Sequence, residues 1–150
     1  YNNLPRVRRA ALPMAAALAA GVITAVTVAL VVAAALGAET QSLLSLAPKS
    51  VTTPIAMGIS ERIGGLPSLS AGLVVATGIT GAIVVTPLLN LRRSHDWRAR
   101  GFAVGIAAHG IGTARAFQVN QIAGVFAAVA MGLNGLTTAI LVPVLASLFF

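Results

Sequence analysis

The sequence predicts an all-α polytopic membrane protein, with transmembrane helices set around two broken or re-entrant helical segments that form an inverted repeat. Three observations predict it. Hydrophobic residues make up 57% of the 150 residues and charged residues 9%, with a mean hydropathy of +0.93, whereas roughly a quarter of a soluble domain is charged. Stretches 10–38, 63–91 and 116–150 contain no Asp, Glu, Lys, Arg or His, and each exceeds the ~20 residues that cross a hydrocarbon core about 30 Å thick. Between them lie two apolar segments interrupted by proline or glycine, each carrying an ionisable residue: Lys49 in the first, His109 and Arg115 in the second.

The first helix is expected over about 13–37, with Pro13 in the first turn, where its missing N–H is not needed. The arginines before it, Arg6, Arg8 and Arg9, and those at Arg92, Arg93, Arg98 and Arg100 flank spans, and short basic loops of this kind are retained on the cytoplasmic side. That pattern accounts for the net charge of +7 better than nucleic-acid binding does. Residues 5–38 imitate a signal peptide, but the apolar run is too long and more membrane sequence follows. The chain begins at Tyr1 rather than Met, which suggests a fragment of a single transmembrane domain. Without cysteine it has no disulfide framework and no thiolate metal site, and no cofactor is expected.

The second helix is expected over about 67–89 and returns to the cytoplasmic side, so the segment between must begin and end outside. Its part at about 41–60 is mostly apolar yet holds Pro48, Lys49 and Pro54. Each proline removes a backbone donor, and irregular backbone at membrane depth is tolerated only where protein or a wet cavity surrounds it. A second broken segment is expected at about 101–117, weakened by Gly101, Gly105, Gly110 and Gly112. A third helix over about 121–148 follows, and Pro143 should kink it or end its regular part. The two units align as a repeat: Thr53 with Thr113, Gly64 with Gly124, and Gly78-x-x-Gly81 plus Pro87 with Gly132-x-x-Gly135 plus Pro143. Inverted repeats with interrupted helices meeting near the midplane characterise many secondary transporters.

Depth follows from helical rise. Lys49 lies ten residues beyond Glu39 and His109 eleven beyond Arg98, or ~15 Å and ~16 Å at 1.5 Å per residue. Lys49, Ser50, Thr52 and Thr53 then offer a cation and hydroxyls to an anion, helped by backbone N–H groups at a helix N-terminus. The alternative is that Lys49 snorkels outward and the hydroxyls satisfy freed carbonyls. In His109-Gly-Ile-Gly-Thr-Ala-Arg115, Gly110 and Gly112 allow a ligand close to the backbone, Thr113 adds a hydroxyl, and Arg115 can grip a carboxylate through two hydrogen bonds. His109 can change charge near neutral pH and couple transport to protons, or stay neutral and hydrogen-bonded in the bundle. Arg115 can instead reach a lipid phosphate. Asn134 can donate to substrate or bond between helices. The glycine loop is no dinucleotide site, since Arg115 stands where the last glycine belongs. Glu61-Arg62 reads as an exposed loop pair and Trp97 as an interfacial anchor. The acids Glu39, Glu61 and Asp96 all fall at membrane edges, so no enzymatic hydrolysis is expected.

The strings Leu46-Ala-Pro-Lys-Ser-Val-Thr-Thr-Pro-Ile-Ala-Met57, Ile63-Gly-Gly-Leu-Pro67, Ala108-His-Gly-Ile-Gly-Thr-Ala-Arg115 and Ala130-Met-Gly-Leu-Asn-Gly135, with the basic opening Leu4-Pro-Arg-Val-Arg-Arg9, resemble the LrgB/CidB membrane family over essentially the whole chain. The resemblance implies a multi-pass protein of the bacterial inner membrane, of which this chain lacks the N-terminal membrane segments, and two kinds of role. One is an antiholin-like regulator of murein hydrolase export and cell lysis, acting with a small LrgA/CidA-type membrane partner. The other is transport of small monocarboxylates, glycolate or glycerate as in a plant plastid relative, or pyruvate as in bacterial ones. A homo-oligomer in the lipid bilayer is expected in either case. A pore-forming holin fits least, because polar midplane sites have no place in a nonselective hole.

Overall fold

A computed structural model describes residues 11–149; the basic opening with Arg6, Arg8 and Arg9 lies outside the described residues. These fold into six helices, α1 Ala11–Ala35, α2 Thr40–Leu46, α3 Thr53–Ile63, α4 Pro67–Leu91, α5 Trp97–Val119 and α6 Gln121–Phe149. No strand occurs among the described residues. Three helices, α1, α4 and α6, are long and apolar enough to cross a membrane.

Helix boundaries follow from local chemistry. Gly37 takes a left-handed φ of 83° and closes α1, with Ala38 N bonded to Ala33 O, a cap that favours glycine. Gly64, at φ 86°, ends α3 in the same way. Pro67 opens α4. Asp96 caps α5, its carboxylate accepting from Arg98 N at 2.9 Å. Asn120 is extended and ends α5, and its side chain accepts from Ile122 N at 2.9 Å to start α6. The turn is tight enough that a Cβ on Gly124 would collide with the Phe117 ring.

Packing is uneven. Helix α1 buries Met14, Val22 and Val26, one stripe at helical spacing, while Leu12, Val31 and Leu36 face outward. The densest packing joins α5 to α6: a Cβ on Gly101 would strike the Ala123 carbonyl oxygen, and one on Gly105 the Ala127 carbonyl oxygen. Small residues permit such close backbone approach in membranes. Around this contact Met14, Phe102, Ile106, Phe126 and Ala130 form a core. Farther along, Val26, Ala47, Ile59 and Val142 form another.

Helix α4 works as a ruler through the bundle. Near its start, Ser70 Oγ donates to Ser45 O at 2.7 Å, and Leu66 N donates to Ser45 Oγ at 2.7 Å. Gly65 there lies so close to α2 that a Cβ would be 2.9 Å from Ser45 N, so α3 brings the chain back beside α2. Near the end of α4, Val85, Thr86 and Leu89 share a cleft with Trp97, Arg100, Arg115 and Val119. Trp97 and Val119 are the two ends of α5, which an unbroken helix would hold ~33 Å apart.

Two expectations are corrected. Pro143 does not end α6, which continues to Phe149; the missing N–H costs one bond, and neighbouring helices make such losses tolerable in spans. Glu61 and Arg62 are exposed as expected but belong to the last turn of α3 rather than to a loop.

Candidate functional site

The first break occupies 47–52, between α2 and α3. Isolated turn bonds hold it, Lys49 N to Leu46 O at 3.0 Å and Val51 N to Pro48 O at 3.3 Å. Pro48 and Pro54 bracket it, and neither can donate a helical bond. Lys49 is half-buried, and its Nζ donates to Ser50 Oγ at 3.2 Å. Thr52 is the N-cap of α3, but its hydroxyl makes no capping bond. Lys49, Thr52 and the first N–H groups of α3 thus follow one another along the chain.

The second break is one link of backbone inside α5: Ala108 at φ −125°, ψ 15° and His109 at φ 39°, ψ −134°. A non-glycine residue there carries about 1–3 kcal/mol of strain and persists only where its surroundings fix it. Two bonds fix His109. Its Nε2 stands 2.8 Å from Val74 O, and Thr113 Oγ1 donates to its carbonyl at 2.7 Å. A carbonyl only accepts, so Nε2 carries the hydrogen and Nδ1 is the ring atom left to exchange a proton. Gly78 makes room for the ring, since a Cβ there would lie 2.6 Å from His109 Cε1. Gly81 does the same for Ala108, at 2.6 Å from its Cβ.

The two breaks meet. Val74 packs its side chain with Val51 of the first while its carbonyl holds His109 of the second. Asn134, only 1% exposed, donates through Nδ2 to Ser50 O at 2.9 Å and to Ile106 O at 3.2 Å. Thr138 Oγ1 donates to its Oδ1 at 3.4 Å, which fixes the amide orientation. One side chain thus satisfies a carbonyl from each interrupted segment.

The remaining site residues divide. Gly110 is open, with Met131 Sδ 3.8 Å from where its Cβ would stand. Gly112 is instead a packing residue, its missing Cβ 2.9 Å from Val104 Cγ1 and directly against Ala108. Thr53 begins α3 and is partly exposed. Arg115 stands apart from Lys49 and His109: it is exposed, bonded to Gln118 Oε1 at 3.3 Å, in the cleft with Trp97 and Arg100. A larger apolar cavity of about 420 Å³ lies between α1, α2 and α6, lined by residues such as Leu30, Leu43 and Leu145. Sequence reasoning missed Val74, whose role rests on its carbonyl and leaves no side-chain signal. The serine set Ser45, Ser60 and Ser70, each 0% exposed, was visible only as hydroxyls at intervals.

A multi-pass helical protein with paired chain breaks is the class this architecture defines. The model of the LrgB-like family matches residues 1–148, and the chain belongs to that family. It is similar to the uncharacterized protein YwbG of Bacillus subtilis, 34% identical over 98% of this chain and 65% of the relative. It is also similar to the holin-like protein CidB of Staphylococcus aureus, 27% identical over 100% of this chain and 66% of the relative. The antiholin-like protein LrgB of Bacillus mycoides is 28% identical over 95% of this chain and 62% of the relative. The chain therefore spans just under two thirds of the length of these relatives. No solved structure matches it. The protein is a multi-pass protein of the bacterial plasma membrane.

Proposed function

We propose that this chain forms the substrate-binding part of a secondary transporter for small monocarboxylates, of the size and chemistry of glycolate, glycerate or pyruvate. The observation that carries this reading is the meeting of the two breaks at Val74 and Asn134. Next to that meeting along the chain come Lys49, Thr52 with its hydroxyl making no capping bond, and the N-termini of α3 and of the second half of α5. A charge near the centre of a bilayer needs a partner or a wet cavity, and half-helix N-termini suit an anionic group. Lys49, Ser50, Thr52 and Thr53 bind the carboxylate on one side; His109, Gly110 and Thr113 face it on the other. His109 couples transport to protons through Nδ1, and Asn134 positions both walls. Arg115 lies outside this group.

The same reading makes the two interrupted segments re-entrant. Supporting it, Gly65 sits against α2 and the two ends of α5 line one cleft. The units also cross over as an inverted repeat would: α4 of the first packs on the break of the second, while a Cβ on Gly135 of α6 would lie 3.0 Å from Ile55 Cδ1 of the first.

The names of the relatives favour a second reading, a regulator of cell lysis acting with a small LrgA/CidA-type membrane protein. The complete protein reconstituted in liposomes separates the two. Saturable uptake of labelled glycolate, glycerate or pyruvate supports transport. Absence of uptake, with co-purification of the small partner and a lysis phenotype indifferent to Lys49→Ala, supports regulation.

A further inference from the structure

The cleft at the far end of α4 is assembled from both ends of α5, and its chemistry differs from that of the breaks. Trp97, Arg100 and Arg115 line it together with the apolar Val85, Leu89 and Val119. Arg100 is 8% exposed; its guanidinium lies 4.9 Å from the Trp97 ring centroid and donates to Ser94 O at 3.0 Å. Arg115 is exposed and has the neutral Gln118 as its hydrogen-bond partner. The nearby carboxylate, Asp96, is taken by Arg98 at 2.7 Å. Arg92 and Arg93 add charge at the same end, whereas Glu39 and Glu61 lie at the other. The cleft itself holds only about 20 Å³, room for roughly one water-sized group, which is too little for a carboxylate substrate. What fits is a ligand whose charged end meets the arginines while its apolar body lies along the outer surface.

We propose that this cleft binds an anionic phospholipid of the cytoplasmic leaflet. Arg115 takes the phosphate through two parallel N–H donors, the geometry that suits guanidinium to phosphate. Arg100, held by Trp97 and Ser94, adds charge from beneath. Trp97 lies at headgroup level, where its amphipathic ring is favoured, and one acyl chain runs over Leu89 and Val119. Basic clefts between spanning helices on the cytoplasmic side select anionic headgroups. The site is independent of the substrate reading, since it shares no residue with the two breaks.

Trp97 is the single tryptophan of the sequence and reports on the site directly. The complete protein is reconstituted in phosphatidylcholine with brominated phosphatidylglycerol or brominated phosphatidylcholine, and the signal lost in Trp97→Phe isolates the quenching of this residue. The expected result is a preference for phosphatidylglycerol of about fivefold, the effect of one well-placed arginine. Arg115→Gln should bring the ratio to about one, Arg115→Lys should keep part of it, and Arg62→Gln at the opposite end should leave it unchanged. An equal ratio in the unaltered protein, or an unaltered ratio in Arg115→Gln, overturns the proposal. So does loss of the preference in inorganic phosphate but not in chloride of equal ionic strength, which would make the site one for free phosphate.

Discussion

The ring of His109 donates from Nε2 to the carbonyl oxygen of Val74 across 2.8 Å, and this bond fastens the break in α5 to the side of α4. It does so at a residue whose φ of 39° no side chain favours. The backbone strain and the bond are separable. His109→Gly removes both, whereas His109→Ala removes the bond and keeps most of the strain. The alanine variant should therefore be less stable than the glycine variant by about 1 kcal/mol. Unfolding by denaturant in detergent micelles measures the difference; equal stabilities would mean that the break relaxes without its ring.

Asn134 should matter more than its single amide suggests. Asn134→Leu strands the carbonyls of Ser50 and Ile106 in the packed centre, and an unmet buried acceptor costs about 1–3 kcal/mol. Interhelical bonds in membranes average less, so a loss of about 1–2 kcal/mol is expected in the same unfolding assay. Asn134→Asp keeps an acceptor for Thr138 but loses the donor, and should fail similarly. A variant as stable as the parent would remove Asn134 from its bridging role.

Two glycine substitutions of the same chemistry should have opposite signs. Gly105→Ala drives a methyl into the Ala127 carbonyl and should destabilise by about 1–3 kcal/mol. Gly132→Ala, also helical, meets nothing within 4 Å and should stabilise by about 0.5–1 kcal/mol. Thermal unfolding in micelles compares them; shifts of the same sign would contradict the α5–α6 packing.

Much of this was legible in the sequence, for reasons that also mark where legibility stopped. The three charge-free stretches contain α1, α4 and α6 because a bilayer demands uninterrupted apolar length. Pro48, Pro54 and the glycines around His109 announced interruptions, but not their extent: the first is six residues between α2 and α3, 47–52, and the second involves only Ala108 and His109. Helical rise placed Lys49 and His109 at one level, and both breaks do border Val74. The grouping of Arg115 with them did not follow. Six residues of helix carry it ~9 Å from His109, toward Trp97, and sequence distance says nothing about that direction. Pro143 does not stop α6, because neighbouring helices absorb a proline's local cost.

The pH dependence at the start of α5 has a defined sign. Hydrogen bonds from the Arg98 side chain and backbone hold the Asp96 carboxyl below its usual range. A depressed carboxylate contributes stability above its unfolded pKa of about 3.9 and loses it as pH falls through the folded value. The pair is exposed, so the effect is modest, and capping itself accounts for about 0.5–1 kcal/mol. Asp96→Ala should lower the unfolding temperature at pH 7, and the gap from the parent should close as pH falls below about 4. A gap that is constant from pH 7 to pH 3 would show that the carboxylate charge contributes nothing to the start of α5.

The central claim is that the two breaks form one anion site around Lys49. Initial rates of labelled glycolate, glycerate and pyruvate uptake into liposomes holding the complete protein test it most directly, comparing the parent with Lys49→Gln and with Arg115→Gln. Saturable uptake is expected, reduced at least about tenfold in Lys49→Gln, the loss of roughly one charge-assisted contact, and nearly unchanged in Arg115→Gln. Uptake that survives Lys49→Gln in folded protein, or no saturable uptake of any of the three, would contradict the account.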